Sequence, residues 1–421
     1  MKLLFVTVSL PDLSQKSHSF YADLIAELSL CGHDITVVAP SYNSKEGLTQ
    51  EGSVRVLRVK TGEFMGDVPF WKKGINVYRL TYQYKRAITR YLKNDSFEVV
   101  ILPTPPVTLV DVVSFVKKRY NAKLYLLLRD IHPECLDRRV VPLRFLERTD
   151  VYEECKKPYG VNFLTRKLLY TKAQRLYKIS DLIGCMSPGN IEYIKQIAPF
   201  ITDKQAVLLP NWYSGEDTEN DDASVLAVRE KYNLKDKYIA IFGGTIGEAQ
   251  AVWNIAQLAK MNLDKKDVVF LVVGRGVRKH VLEEMANKDH LSNMMFLNYM
   301  SREDYEAILQ SADLGLISID EKYTVPTCPS KIIGYMALAK PVLAMFNTGN
   351  DYGEFYIDKP GCGLWSVDLD YQEAQENFDW FYQHRAEGKE IGQAGYRYYK
   401  QNFTTQCVSK LLSEQLTCMG N

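Results

Sequence analysis

The sequence predicts an α/β protein of two Rossmann-like domains facing each other across a cleft, with C-terminal helices crossing back onto the first domain. Three observations predict it. Short, β-branched apolar runs alternate with helically patterned segments along most of the chain. That alternation breaks once, at the acidic stretch SGEDTENDDAS (214–224), and then restarts. Beyond about residue 371 the pattern is helical only. The expected division is 1–212 plus a terminal helix at about 404–421, and 213–403.

LLFVTVSL reads as a buried strand, SHSFYADLIAELSLCG as a helix with Gly32 as its C-cap, and HDITVVAP as a second strand stopped by Pro40. That is a βαβ unit. VRVLRV is a strand, WKKGINVYRLTYQYKRAITRYLK a long amphipathic helix, and FEVVILPTPP a strand closing in a proline-rich turn. VTLVDVVSFVKKRY reads as helix and KLYLLLRD as strand. Residues 131–160 are polar and irregular. Next come a helix, FLTRKLLYTKAQRLYKIS, and a strand, DLIGCM. SPGNIEYIKQI follows, with Ser187 as N-cap and Pro188 at N1. QAVLLPNW ends this half. In the second half YIAIFGGTIG, DVVFLVVGRG, MMFLNYM, DLGLISI and KPVLAMF read as strands. AVWNIAQLAKM, VRKHVLEEMA, SREDYEAILQSA and PSKIIGYMALA read as the helices between them.

Composition narrows the function. The 421 residues carry 52 Lys+Arg against 51 Asp+Glu, which leaves no excess charge for general nucleic-acid binding. No apolar run approaches the roughly 18–20 residues of a membrane span. MKLLFVTVSL runs on without a small-residue cleavage site and reads as a first strand rather than a leader. The eight cysteines are scattered, with no C-x-x-C, and the six histidines form no H-x-x-x-H pair. Reduced thiols in a cytoplasmic protein and no protein-ligated metal are expected.

Ligands of open parallel sheets bind at the carboxyl ends of the strands. Gly243, Gly244 and Gly247 follow YIAIF and precede a helix, as in phosphate-binding turns; a tight turn without a ligand gives the same pattern. Gly274-Arg275-Gly276 also ends a strand, and Arg275 is either a phosphate contact or a solvated turn arginine. Neither turn is a P-loop or a full G-x-G-x-x-G fingerprint. Pro329-Ser330-Lys331 opens a helix, with Ser330 placed to cap it. A first-turn lysine opposes the helix dipole, a cost that an anionic ligand offsets, so Lys331 is a phosphate candidate.

Taken in order, GHDITVVAP, GGTIGEAQ, VGRG, SADLGLISI and PSKIIGYMALAKPVLA resemble the retaining family 4 glycosyltransferases of the GT-B fold, the type that assembles bacterial surface polysaccharides. RDIHPE, MSPGN and LLPNW bring the likeness nearest to a branch containing N-acetylfucosamine transferases. The resemblance implies a nucleotide-diphosphate sugar, UDP-linked, held by the second domain, and a lipid-linked glycan acceptor held by the first. It implies no further cofactor and no obligatory metal. It adds Asn298, Tyr299 and Met300 as base contacts and Pro329 and Ser330 beside Lys331; Thr245 and Gln250, also donor-contact candidates, lie near the places where the family widely has Arg and Lys. Asp130, His132 and Glu134 become candidates to orient the acceptor hydroxyl or take its proton, and Ser17, His18 and Ser19 to form the N-terminal loop. The chain departs from the family in having Pro326 and Gly334 where two glutamates are common.

The segment around Trp71, Lys72, Lys73, Arg79, Lys85 and Arg86 interleaves cations with aromatics. It reads as a peripheral patch for the inner face of the cytoplasmic membrane, or as an ordinary solvated helix face. Two other functions stand beside the transferase: a degenerate GT-B scaffold in a polysaccharide assembly complex, supported by Gly334, and a UDP-sugar 2-epimerase.

Overall fold

The computed structural model describes residues 1–13, 19–42, 46–63, 70–131, 163–215, 222–247, 249–320, 323, 325–326, 328, 330–347 and 351–420. Two compact units divide the chain. Of the described residues, those within 1–131, 163–214 and 405–420 make up the first, and those within 215–404 the second.

In the first unit β1 (Lys2–Val6), β2 (Asp34–Ser41), β3 (Gly47–Glu51), β4 (Val54–Lys60), β5 (Val99–Thr104), β6 (Lys123–Leu128), β7 (Leu182–Cys185) and β8 (Ala206–Leu208) form one sheet. Its order is β3-β4-β2-β1-β5-β6-β7-β8. All pairs are parallel except β3 with β4. The helices are α1 (Phe20–Leu30), α2 (Phe70–Tyr91), α3 (Val110–Tyr120), α4 (Phe163–Ile179) and α5 (Pro188–Ile197). Their caps follow the sequence. Ser19 Oγ accepts from Ala22 N–H, and Ser187 Oγ from Asn190 N–H with Pro188 at N1. Such a cap contributes about 1 kcal/mol. Gly32 takes the left-handed φ of +86° just beyond α1, and His33 N–H closes the helix on Leu28 O.

The edge strand β3 was not foreseen. GLTQE has no apolar alternation and is held by a hairpin rather than by burial. The terminal helix α13 (Thr405–Gly420) lies within this unit. Its Val408, Leu412, Leu416 and Met419 share a core with Phe5, Val37, Tyr125 and Trp212. Tyr125 Oη donates to Gln415 Oε1 at 2.5 Å, fixing the helix lengthwise.

The second unit holds β9 (Tyr238–Thr245), β10 (Val268–Arg275), β11 (Met294–Leu297), β12 (Leu314–Ser318), β13 (Val342–Phe346) and β14 (Gly363–Val367). They pair parallel throughout in the order β11-β10-β9-β12-β13-β14. This is the doubly wound 3-2-1-4-5-6 arrangement, with its switch point between β9 and β12. The helices are α6 (Asp222–Lys231), α7 (Val252–Met261), α8 (Lys279–Lys288), α9 (Arg302–Ser311), α10 (Lys331–Ala337), α11 (Tyr371–Gln383) and α12 (Arg385–Asn402). β14 was also missed, because GLWSV is a half-buried edge strand with no clear period.

Candidate functional site

Six residues singled out in the sequence line one cavity of about 280 Å³ in the second unit. Gly244 and Thr245 end β9, Gly274 and Arg275 end β10, and Tyr299 and Met300 follow β11. These three strands are neighbours, so their carboxyl ends form one wall. Close approach of β9 and β10 requires glycine. Gly274 has φ +135°, and a Cβ there would overlap the Gly244 carbonyl oxygen. Gly276 likewise leaves no room between itself and the Ile246 carbonyl. The Arg275 guanidinium lies 4.4 Å over the Tyr299 ring, and both side chains are exposed. Together they present a flat aromatic face edged by positive charge.

Lys331 stands at the first position of α10. Its Nζ donates to Thr245 O at 2.9 Å and lies 4.3 Å from the Phe242 ring centre. The residue keeps partial exposure, yet its amine is enclosed, and burial draws its pKa down to about 7. Ser330 does not cap α10, contrary to expectation. Its backbone is helical (φ −53°, ψ −21°), whereas a capping side chain needs an extended backbone to reach the N–H groups.

Other sequence candidates are used differently. Gln250 Oε1 accepts from Gly247 N–H at 2.6 Å, so its side chain closes the glycine turn. Gly243 carries no side chain because the Tyr305 hydroxyl occupies that space. Asn298 Oδ1 accepts from Lys279 Nζ at 3.1 Å in an adjoining open recess. Pro326 and Gly334 are buried. Pro329 lies outside the described residues.

Sequence reading missed three groups here. Tyr305, with Val273 and Ser301, completes the cavity wall. Tyr335, one turn along α10 from Lys331, places its hydroxyl where β9 and β12 diverge. These strands pair only at Ala240–Leu314 and Ile241–Gly315. The hydroxyl accepts from Gly243 N–H (3.3 Å) and lies 3.1 and 3.3 Å from the carbonyls of Ile241 and Leu316. Tyr335→Phe should therefore cost about 1–3 kcal/mol in urea unfolding, through buried backbone groups left unsatisfied. A cost near zero would mean that α10 is anchored otherwise. Third, Arg278 is buried against Asp320 (3.4 Å), donates to Gln250 O at 2.8 Å and stacks on Trp253 at 5.0 Å. Asp320 N–H donates to Ala249 O, so the pair grips residues 249 and 250 of the glycine turn from both partners.

In the first unit, Asp130 follows β6, and burial raises its pKa against the opposing Arg129 charge. Arg129 donates to Leu209 O (3.0 Å) and Asn211 Oδ1 (2.8 Å) and lies 4.9 Å over Trp212. The P-N-W turn after β8 thus fixes the neighbour of Asp130. Ser19 serves as the α1 cap. Ser17, His18, His132 and Glu134 lie outside the described residues. Of the basic patch, Trp71, Lys72 and Lys73 fall within α2, but their side chains are not described. Arg79 is exposed beside Ile75, Tyr78 and Tyr82, the last two 85% and 70% exposed. Arg86 pairs with Glu46 at 3.2 Å, and Lys85 approaches the Phe115 ring at 6.0 Å. No described helix is long and apolar enough to cross a membrane.

Residues 226–398 match the family model described as glycosyl transferases group 1. Over 172 residues, 40% of this chain, the sequence is 28% identical to the protein of Escherichia coli (strain K12) assigned to colanic acid biosynthesis as glycosyl transferase WcaI. That stretch spans 42% of the relative, and the curated matches span at most 61% of a relative's length. Among solved structures, sucrose-phosphate synthase from Thermosynechococcus elongatus superposes with TM-score 0.72 at 13% identity, covering 99% of this chain and 98% of that one. Anabaena HepE in complex with UDP-glucose gives 0.64 at 12% identity, covering 99% and 100%. At such identities the likeness is one of fold, and the fold is GT-B.

Proposed function

We propose that this GT-B chain, whose residues 226–398 carry the group 1 glycosyl transferase match, moves a sugar from a nucleoside diphosphate to a lipid-linked glycan in surface-polysaccharide synthesis. One observation carries the reading: an aromatic–arginine wall and an enclosed lysine amine meet at the carboxyl ends of a doubly wound sheet. Tyr299 and Arg275 suit a nucleobase, and Lys331 suits the diphosphate. UDP is the first nucleotide to test, given the UDP-glucose bound by the structural neighbour from Anabaena.

The chemistry follows. The bond between the anomeric carbon and the diphosphate oxygen breaks, and negative charge grows on the leaving group. A cation already in place lowers that barrier. The acceptor oxygen bonds to the anomeric carbon with retention, and its proton leaves. Asp130 is our candidate to orient the hydroxyl or take that proton, since its raised pKa makes it a stronger base than an ordinary carboxylate. His132 and Glu134 are the other candidates. With Lys331 and Arg275 supplying charge, the reaction as proposed needs no divalent metal. The exposed Ile75, Tyr78, Arg79 and Tyr82 of α2 suit peripheral contact with an anionic cytoplasmic leaflet.

The test is nucleoside diphosphate release from UDP-, GDP- and dTDP-sugars, N-acetylhexosamines included, with a lipid-diphosphate sugar as acceptor. Release dependent on both substrates supports the reading. Donor binding without release favours the scaffold reading that Gly334 motivates.

Lys331 also gives a pH prediction. Between about pH 7 and 10 its amine is neutral in the free protein and protonated in the unfolded chain, so its contribution to stability rises with pH over that window. A bound diphosphate favours the ammonium form. Binding at pH 8 should take up close to one proton, and affinity should fall as pH rises from 7 to 9. Calorimetry in buffers of different protonation enthalpy reads this directly, and zero uptake would remove Lys331 from the diphosphate.

A further inference from the structure

A second cavity of about 230 Å³ opens at the opposite end of the second unit's sheet, where the strands begin. Tyr238 starts β9, Asp313 precedes β12, and Lys340 and Pro341 precede β13. Arg385 and Lys389, one turn apart at the start of α12, complete the wall. The cavity is therefore lined by three cations and one carboxylate.

That carboxylate is already engaged. Asp313 Oδ2 accepts from Arg229 at 2.9 Å and from Ile239 N–H at 2.8 Å. Asp267, close by, is held by Arg385 at 2.9 Å and by Tyr382 at 2.7 Å. Lys340 Nζ bonds only to a neutral group, Gln310 O at 2.6 Å, and neither Lys340 nor Lys389 is ion-paired among the described residues. Burial lowers the Lys340 amine to about 8; Asp313 opposes that shift, and Arg229 and Lys389 add to it. Arg385 and Lys389 keep solvent exposure while the Lys340 amine is enclosed, and like charges gathered beside an enclosed cation favour an anion between them. The Tyr238 and Phe381 rings supply apolar wall beside those cations.

We propose that this cavity is a binding site for a small phosphate-bearing molecule, held by Lys340, Lys389 and Arg385 and separate from the donor cavity. Free phosphate and a phosphorylated metabolite share the chemistry that these cations recognise. The same segment, residues 331–341, carries at one end Lys331, bonded to Thr245 of the first cavity's wall, and near the other Lys340, which lines the second cavity.

The experiment titrates the full chain with inorganic phosphate and, separately, with a hexose 1-phosphate, reading thermal shift and calorimetry. It uses the natural sequence and the variants Lys389→Ala, Lys340→Met and Lys331→Ala. Lys389 is exposed, so its variant should fold even if Lys340→Met does not. The expected result is saturable binding weakened at least about tenfold by Lys389→Ala, as for the loss of one charge-assisted hydrogen bond, and unchanged by Lys331→Ala. Tighter binding of the hexose phosphate than of phosphate identifies a metabolite, and equal binding identifies the free ion. Absence of binding by both probes, equal binding in Lys389→Ala, or loss confined to Lys331→Ala would overturn the proposal. The last outcome would place phosphate in the donor cavity.

Discussion

Lys331→Ala should lower turnover at saturating donor and acceptor by about 100- to 1000-fold, the usual effect of removing one preorganised stabiliser of developing charge. The amine is fixed by Thr245 O at 2.9 Å and backed by Phe242, so little reorganisation is needed as charge appears. The helix that carries it is anchored one turn later by Tyr335 at the parting of β9 and β12. Enclosure of the amine, which draws its pKa down to about 7, also places its charge where it acts more strongly than in bulk water. Folding should be little affected, because this enclosed amine is a cost to the free protein when protonated. Steady-state rates and a melting curve on one preparation separate the two effects. Lost activity with a large loss of stability would indicate a structural lysine. Retained activity would remove Lys331 from the mechanism.

Arg278→Met should destabilise the protein by about 3–5 kcal/mol, because it leaves the Asp320 carboxylate buried without its guanidinium. The side chains of the pair are only 4% and 3% exposed, so water cannot take over. The glycine turn beside Thr245 should suffer with the fold, since Arg278 also holds Gln250 O and Asp320 holds Ala249 O. Arg278→Met combined with Asp320→Leu should recover much of the loss, because a buried pair replaced by packed apolar groups is often near neutral in stability. Urea unfolding of both singles and the double closes the cycle. Strictly additive losses would show that the two residues are not coupled.

How much of this was legible follows from the reach of each interaction. The strands β9, β10, β12 and β13 announce themselves by apolar runs, and the turns GGTIG and VGRG by glycines whose need is local. Gly244, Gly274 and Arg275 were therefore found by reading the strand ends, Lys331 by its place in the first turn of a helix, and Tyr299 by the family resemblance. Tyr335 was invisible, since its hydroxyl meets Gly243, 92 residues away in the chain. Arg278 and Asp320 lie 42 residues apart, so no local pattern pairs them. Ser330 misled because serine before a helix is a cap only when its backbone is extended. β3 and β14 were missed because edge strands need neither alternation nor full burial.

The most direct measurement is a calorimetric titration of UDP into the natural sequence and into Lys331→Ala, at pH 7 and 8. The account predicts saturable 1:1 binding to the natural sequence, proton uptake at the higher pH, and affinity at least about tenfold weaker in the variant. A folded protein that binds neither UDP nor GDP nor dTDP, or a variant that binds as tightly as the natural sequence, would contradict it.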